Sequence, residues 1–401
     1  MPKRKEEVDI QQYKQLTYGD DTKEHDLYYL RKKSKIEKSV LLQELSFLHT
    51  MTSSLVPIMF RLLEAQIPLP FKMIAYKKIL GLDQDMSGKL KQWVDSFLRI
   101  PFQKDVPLPF DFTKPDKCNL FMKECEETLD KCTYGMKKAK SQFLQLIGKW
   151  IVNPKSIGSA IALKGPMGTG KTTLIKNGIS KILGRPFAFI TLGGSSDGAF
   201  LEGHSYTYEG SSYGKIVDIL IQSKVSNPVI FFDELDKVSQ SEKGDEIIGI
   251  LTHLIDSTQN TQFHDKYFSE LDFDLSKCLF VFSYNHEDQV NSILKDRMTT
   301  IEISGYTKED KVCIARDFLI PEMAKEYCME IEWTDGLIEK IVEKTENESG
   351  VRNLKRSLDT IYSKLNLTRI LHPELPIVLS EEQLEGWFPS PSPTKYSSMY
   401  L

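Results

Sequence analysis

Five short and largely apolar runs, 160–163, 187–192, 228–232, 278–284 and 299–303, stand apart from the rest of the chain, where apolar residues return every three or four positions. Runs of this length predict strands, and the helical spacing between them predicts a parallel sheet covered on both faces. Between 41 and 100 the spacing is helical, with breaks at Pro57, at Pro68 and Pro70, and at Gly81 and Gly88, which predicts a small helical region. Residues 101–115 are rich in proline and phenylalanine and read as an extended linker. An amphipathic stretch over 117–150 breaks at Tyr134-Gly135, and from 306 to 371 the pattern is helical only.

The two ends differ from this. Residues 1–40 mix both signs of charge, cluster Arg31, Lys32, Lys33, Lys35 and Lys38, and read as a mobile or weakly helical arm. The chain closes on SPSPTKYSSMYL, a Ser/Pro-rich tail. The expected organisation is a charged flexible arm over 1–40, a helical region and linker over 41–115, a large α/β domain over 116–305, a small helical lid over 306–388 and a tail over 389–401. There is no internal repeat.

Composition narrows the class. The 401 residues are 40% hydrophobic and 27% charged with a net charge of −4, an ordinary globular balance with room for two or three domains. The acidic balance argues against nucleic acid as the default partner, because phosphate binding needs a basic surface; a local basic face stays open. The opening MPKRKEE turns acidic where a secretory signal would become apolar, and the most apolar early stretch, 47–63, is interrupted by His49, Thr50, Ser53, Ser54 and Arg61. Neither secretion nor a membrane span is expected, and the expected place is the cytoplasm. Six cysteines show no C-x-x-C spacing, and Cys118, Cys125 and Cys132, seven apart, read as small buried hydrophobes on one helix face.

The candidate chemistry begins at the end of the first strand. Residues 165–172 read GPMGTGKT, which fits G-x-x-x-x-G-K-[ST]. In such a loop Gly165, Pro166, Met167, Gly168, Thr169 and Gly170 turn backbone N–H groups toward phosphates, Lys171 adds a charge, Thr172 offers a hydroxyl to Mg²⁺, and Thr173 continues into a helix whose N-terminus favours an anion. About sixty residues later comes VIFFDE over 229–234. Alone it reads equally well as a buried strand with a solvated acidic turn. Paired with the loop it predicts a nucleoside triphosphatase with Asp233 in the Mg²⁺ shell and Glu234 polarising the attacking water, the division of labour that phosphoryl transfer requires. No further metal is expected, since the seven histidines lack ligand spacing.

Three more residues suit the same reaction. The strand over 278–284 ends at Asn285, either a side-chain amide that positions water or a polar residue closing a strand. Arg297, in LKDRM just before the last strand, is placed to reach a neighbour's phosphate in trans and so implies a ring. Arg352 begins a helix at GVRNL, as a contact to the γ-phosphate or as a solvated surface residue.

With these motifs in view, GPMGTGKT, LGGSSDGAFLEGHSYTYEG, NPVIFFDELDK, LKDRMTTIEISGYTKEDK and SGVRNLKR resemble the AAA+ ATPase module of Lon proteases, continuously over 118–388 and more weakly over 89–102. The resemblance implies a P-loop AAA+ fold with a five-stranded parallel sheet, a helical lid and a helical N-terminal region. It also implies a homo-hexamer acting on protein substrates. It casts Asn285 as sensor 1, Arg297 as the finger and Arg352 as sensor 2, and puts Tyr134 and Gly135 at the adenine. Tyr208 falls at the aromatic position of a pore loop with Glu209 and Gly210, and Glu209 departs from the apolar residue usual there. Met167 replaces a common proline.

Lon proteins continue into a Ser-Lys peptidase domain, whereas this chain stops soon after LSEEQLEGWFP, so an ATPase without proteolytic activity is expected. The final Met399-Tyr400-Leu401 resembles the docking tripeptide of proteasome-activating ATPases, which would suit a separate peptidase partner; a solvated tail is the alternative. A ring of this kind would fit a phage or large DNA virus, working in host-cell cytoplasm. A nucleic-acid motor using residues 31–38 and a nucleotide-binding scaffold are the rival readings.

Overall fold

The computed structural model describes residues 9–14, 16–17, 24–52, 56–82, 88–109, 115–153, 160–194, 197–239, 241–345, 348–373 and 378–388. The Ser/Pro tail with Met399-Tyr400-Leu401 lies outside the described residues. Two compact units divide the chain, Met1–Leu98 and Arg99–Leu401.

The first unit is helical: Glu24–Lys32, Lys35–Thr52, Ile58–Glu64, Leu69–Leu80 and Lys89–Phe97. Helix thus runs through part of the segment that sequence alone reads as a mobile or weakly helical arm. Leu62, Ala75, Trp93, Val94 and Phe97 are buried, and the Trp93 and Phe97 rings stack at 5.2 Å.

In the second unit the stretch 101–109 is anchored along its length by Ser226 and Asn227. Ser226 N–H donates to the Lys104 carbonyl at 3.0 Å, and the Asn227 side chain bridges both backbone groups of Val106 at 2.9 Å. Helices Pro115–Cys132 and Lys137–Val152 follow, parted at Tyr134-Gly135 as the broken periodicity predicts.

The sheet is five-stranded: β1 (Ala160–Lys164), β2 (Phe187–Thr191), β3 (Val229–Asp233), β6 (Leu279–Tyr284) and β7 (Met298–Glu302), in the order β2-β3-β6-β1-β7 and parallel at every pairing. A separate antiparallel pair, β4 (Phe263–His264) and β5 (Asp272–Phe273), precedes β6. Alternate side chains of a strand point to opposite faces. On one face Ile161, Leu163, Phe231, Val281 and Ile301 pack with Leu129, Phe143, Ile147, Trp150 and Ile175 of the flanking helices, and buried Cys125 joins them with Cys118 and Cys132 at its margin. The other face carries Ile230, Phe232, Phe280 and Phe282, all fully buried, with the Phe232 and Phe282 rings stacked at 4.8 Å. Burial on both faces explains why these strands read as apolar runs rather than alternations.

Past β7 the chain is helical, with Lys308–Ile314 continuing through Ile320–Tyr327, then Asp335–Lys344, Arg352–Leu371 and Glu381–Trp387. They enclose their own core of Ile314, Leu319, Leu337, Ile341, Leu354, Leu358, Tyr362 and Leu365.

Candidate nucleotide site

The carboxyl ends of β1, β3 and β6 lie side by side, the place where open α/β sheets gather ligand-binding residues. From the end of β1 the loop 165–170 leads into the helix opened by Lys171, and its Gly168 and Gly170 take positive φ of 74° and 87°. The Lys171 ammonium meets the Gly165 carbonyl at 2.5 Å, the Pro166 carbonyl at 3.1 Å and Asn285 Oδ1 at 2.8 Å. Burial lowers its pKa to about 8, opposed by the charges of Asp233 and Asp236. A lysine so enclosed by oxygen atoms has its ammonium held in one place at the mouth of a helix N-terminus.

β3 delivers the carboxylates. Asp233 Oδ1 accepts from the Ser283 hydroxyl on neighbouring β6 and from Glu234 N–H at 3.1 Å; its second oxygen takes no hydrogen bond from any described residue. A carboxylate and the Thr172 hydroxyl are both hard oxygen donors of the kind that suits Mg²⁺. Glu234 turns the chain at φ 62°. Its carboxylate pairs with Lys237 and lies against Gly193, where an added Cβ would stand 2.1 Å from Oε2.

Asp236 ties the end of β6 to this turn. It is buried, and its Oδ2 accepts the N–H groups of Asn285 and His286 at 3.1 and 3.0 Å, which fixes where the Asn285 side chain starts. Sequence reading passed over Asp236, Ser283 and Gly193. The DELD spacing and the LGG turn were the available signals, but neither says what a side chain faces across the sheet.

The lid closes on the loop directly. Val351 N–H donates to the Gly168 carbonyl at 3.1 Å and the Tyr306 hydroxyl to the Thr169 carbonyl at 2.8 Å. Gly350 passes so close that a Cβ would stand 2.2 Å from the Met167 carbonyl oxygen. Arg352 follows with its backbone over Gly168 and its side chain exposed. The helix it opens is held by Glu348, whose carboxylate accepts from the N–H groups of Asn353 and Leu354 at 2.9 and 3.0 Å. On the other flank Met136 lies beside Gly170. Tyr134 packs against the lid core edge-on to Phe318 at 6.5 Å, and Gly135 takes φ 62°.

Lys171, Asn285 and Asp233 therefore meet at this loop, with the Arg352 backbone over Gly168 and Tyr134 and Gly135 on its flank, while Glu234 lies against Gly193 just past β2. Arg297 and Tyr208 are not among them. Arg297 is exposed, paired through Nε with Asp256 Oδ2 and through Nη1 with the Ile293 carbonyl, at 3.4 and 3.2 Å. The Asp256 carboxyl is lowered by hydrogen bonds from the Thr258 hydroxyl and N–H, and further by Arg297. Tyr208 stands 68% exposed at the tip of a loop with Glu209 and Gly210, closed at its base by His204 N–H to the Ser212 carbonyl at 3.1 Å.

Among the described residues no helix is long and apolar enough to cross a membrane. The model of the ATPase family associated with various cellular activities (AAA) matches residues 161–306. The chain is 38% identical to a Lon protease homolog of Acanthamoeba polyphaga mimivirus over 294 residues, 70% of this chain and 28% of that protein. It is 34% identical to the Lon protease of Clostridioides difficile (strain 630) over 316 residues, 78% of this chain and 38% of that one. A mitochondrial Lon protease homolog of Debaryomyces hansenii is 37% identical over 263 residues, 65% of this chain and 24% of the relative. The chain thus spans well under half the length of these curated relatives. The matched AAA model implies ATP binding, and the loop, carboxylates and sheet order are in keeping with it. Residues 161–306 are an AAA ATPase domain of the Lon type.

Proposed function

We propose that the chain is an ATP-dependent protein unfoldase or remodelling ATPase, working as a homo-hexameric ring. In this reading loop 165–170 and Lys171 bind the phosphates, Thr172 and Thr173 continue the cradle, and Tyr134 and Gly135 flank the base. Thr172 and Asp233 would hold Mg²⁺, which supplies charge neutralisation on the phosphate oxygens. Glu234 orients and polarises the water, and Asn285 holds it toward the γ-phosphate. Arg352 sits where the lid seats on the loop, so loss of the γ-phosphate would be felt at the start of the helix Arg352–Leu371.

The ring is supported by Arg297, whose contacts are all outside this cluster while it lies next to β7, an edge strand of the sheet. An exposed arginine there serves a neighbour's γ-phosphate better than its own. The observation that carries the remodelling step is Tyr208. An aromatic ring exposed at a closed loop tip can grip any polypeptide side chain without a particular partner.

The test is capture. Glu234→Gln should bind ATP without turnover and retain an unfolded client that wild type releases, at a mass of six subunits by light scattering. Tyr208→Ala in that background should lose the client and keep ATP. Retention of duplex DNA instead, with steep salt dependence, would replace the protein-remodelling reading by the nucleic-acid one.

A further inference from the structure

The loop that carries Tyr208 is pinched at both ends by one turn. At its entry the Glu202 carbonyl accepts Lys266 N–H at 2.7 Å, and the Lys266 ammonium reaches Glu202 and Glu246, each at 3.3 Å. At its exit Gly214 N–H donates to Asp265 Oδ2 at 2.7 Å. The other oxygen, Oδ1, accepts Tyr267 N–H at 2.9 Å and Phe268 N–H at 3.2 Å. Asp265 is fully buried. Burial raises its carboxyl to about 7 even against these three donors.

The two loop ends cross at backbone distance. A Cβ on Gly203 would stand 2.7 Å from Gly214 N, and one on Gly214 would stand 2.0 Å from the Leu201 carbonyl oxygen. Around this crossing Tyr206 and Tyr213 meet Tyr267 edge-on at 6.4 and 6.0 Å, and Tyr213 stacks on Phe268 at 6.0 Å. The turn between β4 and β5, which opens with Asp265, thus packs on the loop base.

We infer that Asp265, with Lys266, is a positioning residue that fixes the base of loop 203–214 so that Tyr208 meets the client at a set height and angle. The inference rests on the reading of Tyr208 as the client-gripping residue. A carboxylate suits the place because it accepts on both oxygens. An amide of the same shape has one acceptor and one donor, so one of the two N–H sets it faces loses its partner.

Three variants are compared with wild type for basal ATP turnover, for the client concentration that half-saturates stimulation, and for amide exchange across 203–214. Asp265→Asn should leave basal turnover within about twofold, raise the half-saturating client concentration roughly tenfold or more, and speed exchange in 203–214 while strand β3 stays protected. Lys266→Met should do the same more weakly, and covers the case in which Asp265→Asn fails to fold. Tyr208→Ala is the reference that loses stimulation outright. If Tyr208→Ala loses stimulation but Asp265→Asn and Lys266→Met keep wild-type half-saturation, the clamp is wrong and the grip reading stands. If Tyr208→Ala also keeps stimulation, the grip reading falls, and with it the clamp's role in presenting Tyr208. Folded Asp265→Asn with basal turnover lost alongside stimulation would make Asp265 an ordinary core residue and overturn the inference.

Discussion

Replacing Gly193 by alanine puts a methyl group where the Glu234 carboxylate now lies. The new Cβ would stand 2.1 Å from Oε2, 3.2 Å from Cδ and 3.4 Å from Glu234 Cβ. Side-chain carbons essentially never approach an oxygen closer than 3.0 Å, so Oε2 must retreat by at least 3.0 − 2.1 = 0.9 Å. The atom that moves is the far end of a side chain, so the fold has little to lose. Catalysis has more, since a misplacement of about 1 Å can cost on the order of 10²-fold, which is about 2.7 kcal/mol of barrier. Gly193→Ala should therefore lower kcat about a hundredfold with ATP affinity and Tm near wild type. Steady-state turnover, nucleotide titration and a thermal melt read the three quantities. Gly249→Ala, mid-helix with nothing within 4 Å of the added Cβ, serves as control and should gain roughly 0.5–1 kcal/mol of stability. Unchanged kcat in folded Gly193→Ala, or a loss of ATP affinity as large as the loss of kcat, would refute the placement of Glu234 as the water-orienting group.

Gly350→Ala should act the other way, on fold and lid together: its Cβ meets backbone atoms of Met167 and Gly168 at 2.2 and 2.6 Å, so the lid must lift, at a cost of about 1–3 kcal/mol seen as a lower Tm and weaker ATP binding. Lys171, held to about pKa 8 by burial, is partly neutral in the free protein above that pH. The sign follows: the folded pKa lies below the unfolded one, so the native state binds fewer protons and this group's burial penalty relaxes as pH rises from 8 toward 10.5. Phosphate should restore the proton, so calorimetry at pH near 8.5 in buffers of different ionisation enthalpy should show proton uptake on ATP binding that Lys171→Met lacks. Arg297→Ala should lose about 10³- to 10⁵-fold in turnover with ATP affinity unchanged, and mixing it with Lys171→Ala subunits should restore part of it; absence of rescue at every ratio contradicts a finger acting in trans.

The parts of this account that were legible in sequence are those set by local pattern. All five main strands lie within a residue of the apolar runs that predicted them, because a strand buried on both faces needs no register information to be recognised. The placement of loop 165–172 after a strand and of residues 233–234 at the end of another was legible for a related reason, as both motifs expect an apolar strand before them. The β4–β5 pair was not read, since two-residue strands such as Phe263–His264 carry no periodicity. Nor could spacing reveal Asp236 and Asp265, two of many acidic residues, whose roles arise only when β3 meets β6 or when 265 meets 214 across the fold. Sequence reads 101–115 as an extended linker without saying what it lies on, because a proline-rich segment lacks a pattern of its own. Its anchorage comes from Ser226 and Asn227, more than a hundred residues away.

The claim that most needs a measurement is that ATP hydrolysis at Lys171 and Glu234 is spent on pulling protein apart. A stably folded fluorescent protein with an unstructured terminal tag, incubated with the chain and ATP, should lose fluorescence while its own chain stays full length, and should keep it with Glu234→Gln or with Tyr208→Ala. Steady ATP turnover with the client's fluorescence intact at every concentration, or equal loss of fluorescence with Glu234→Gln, would contradict the account.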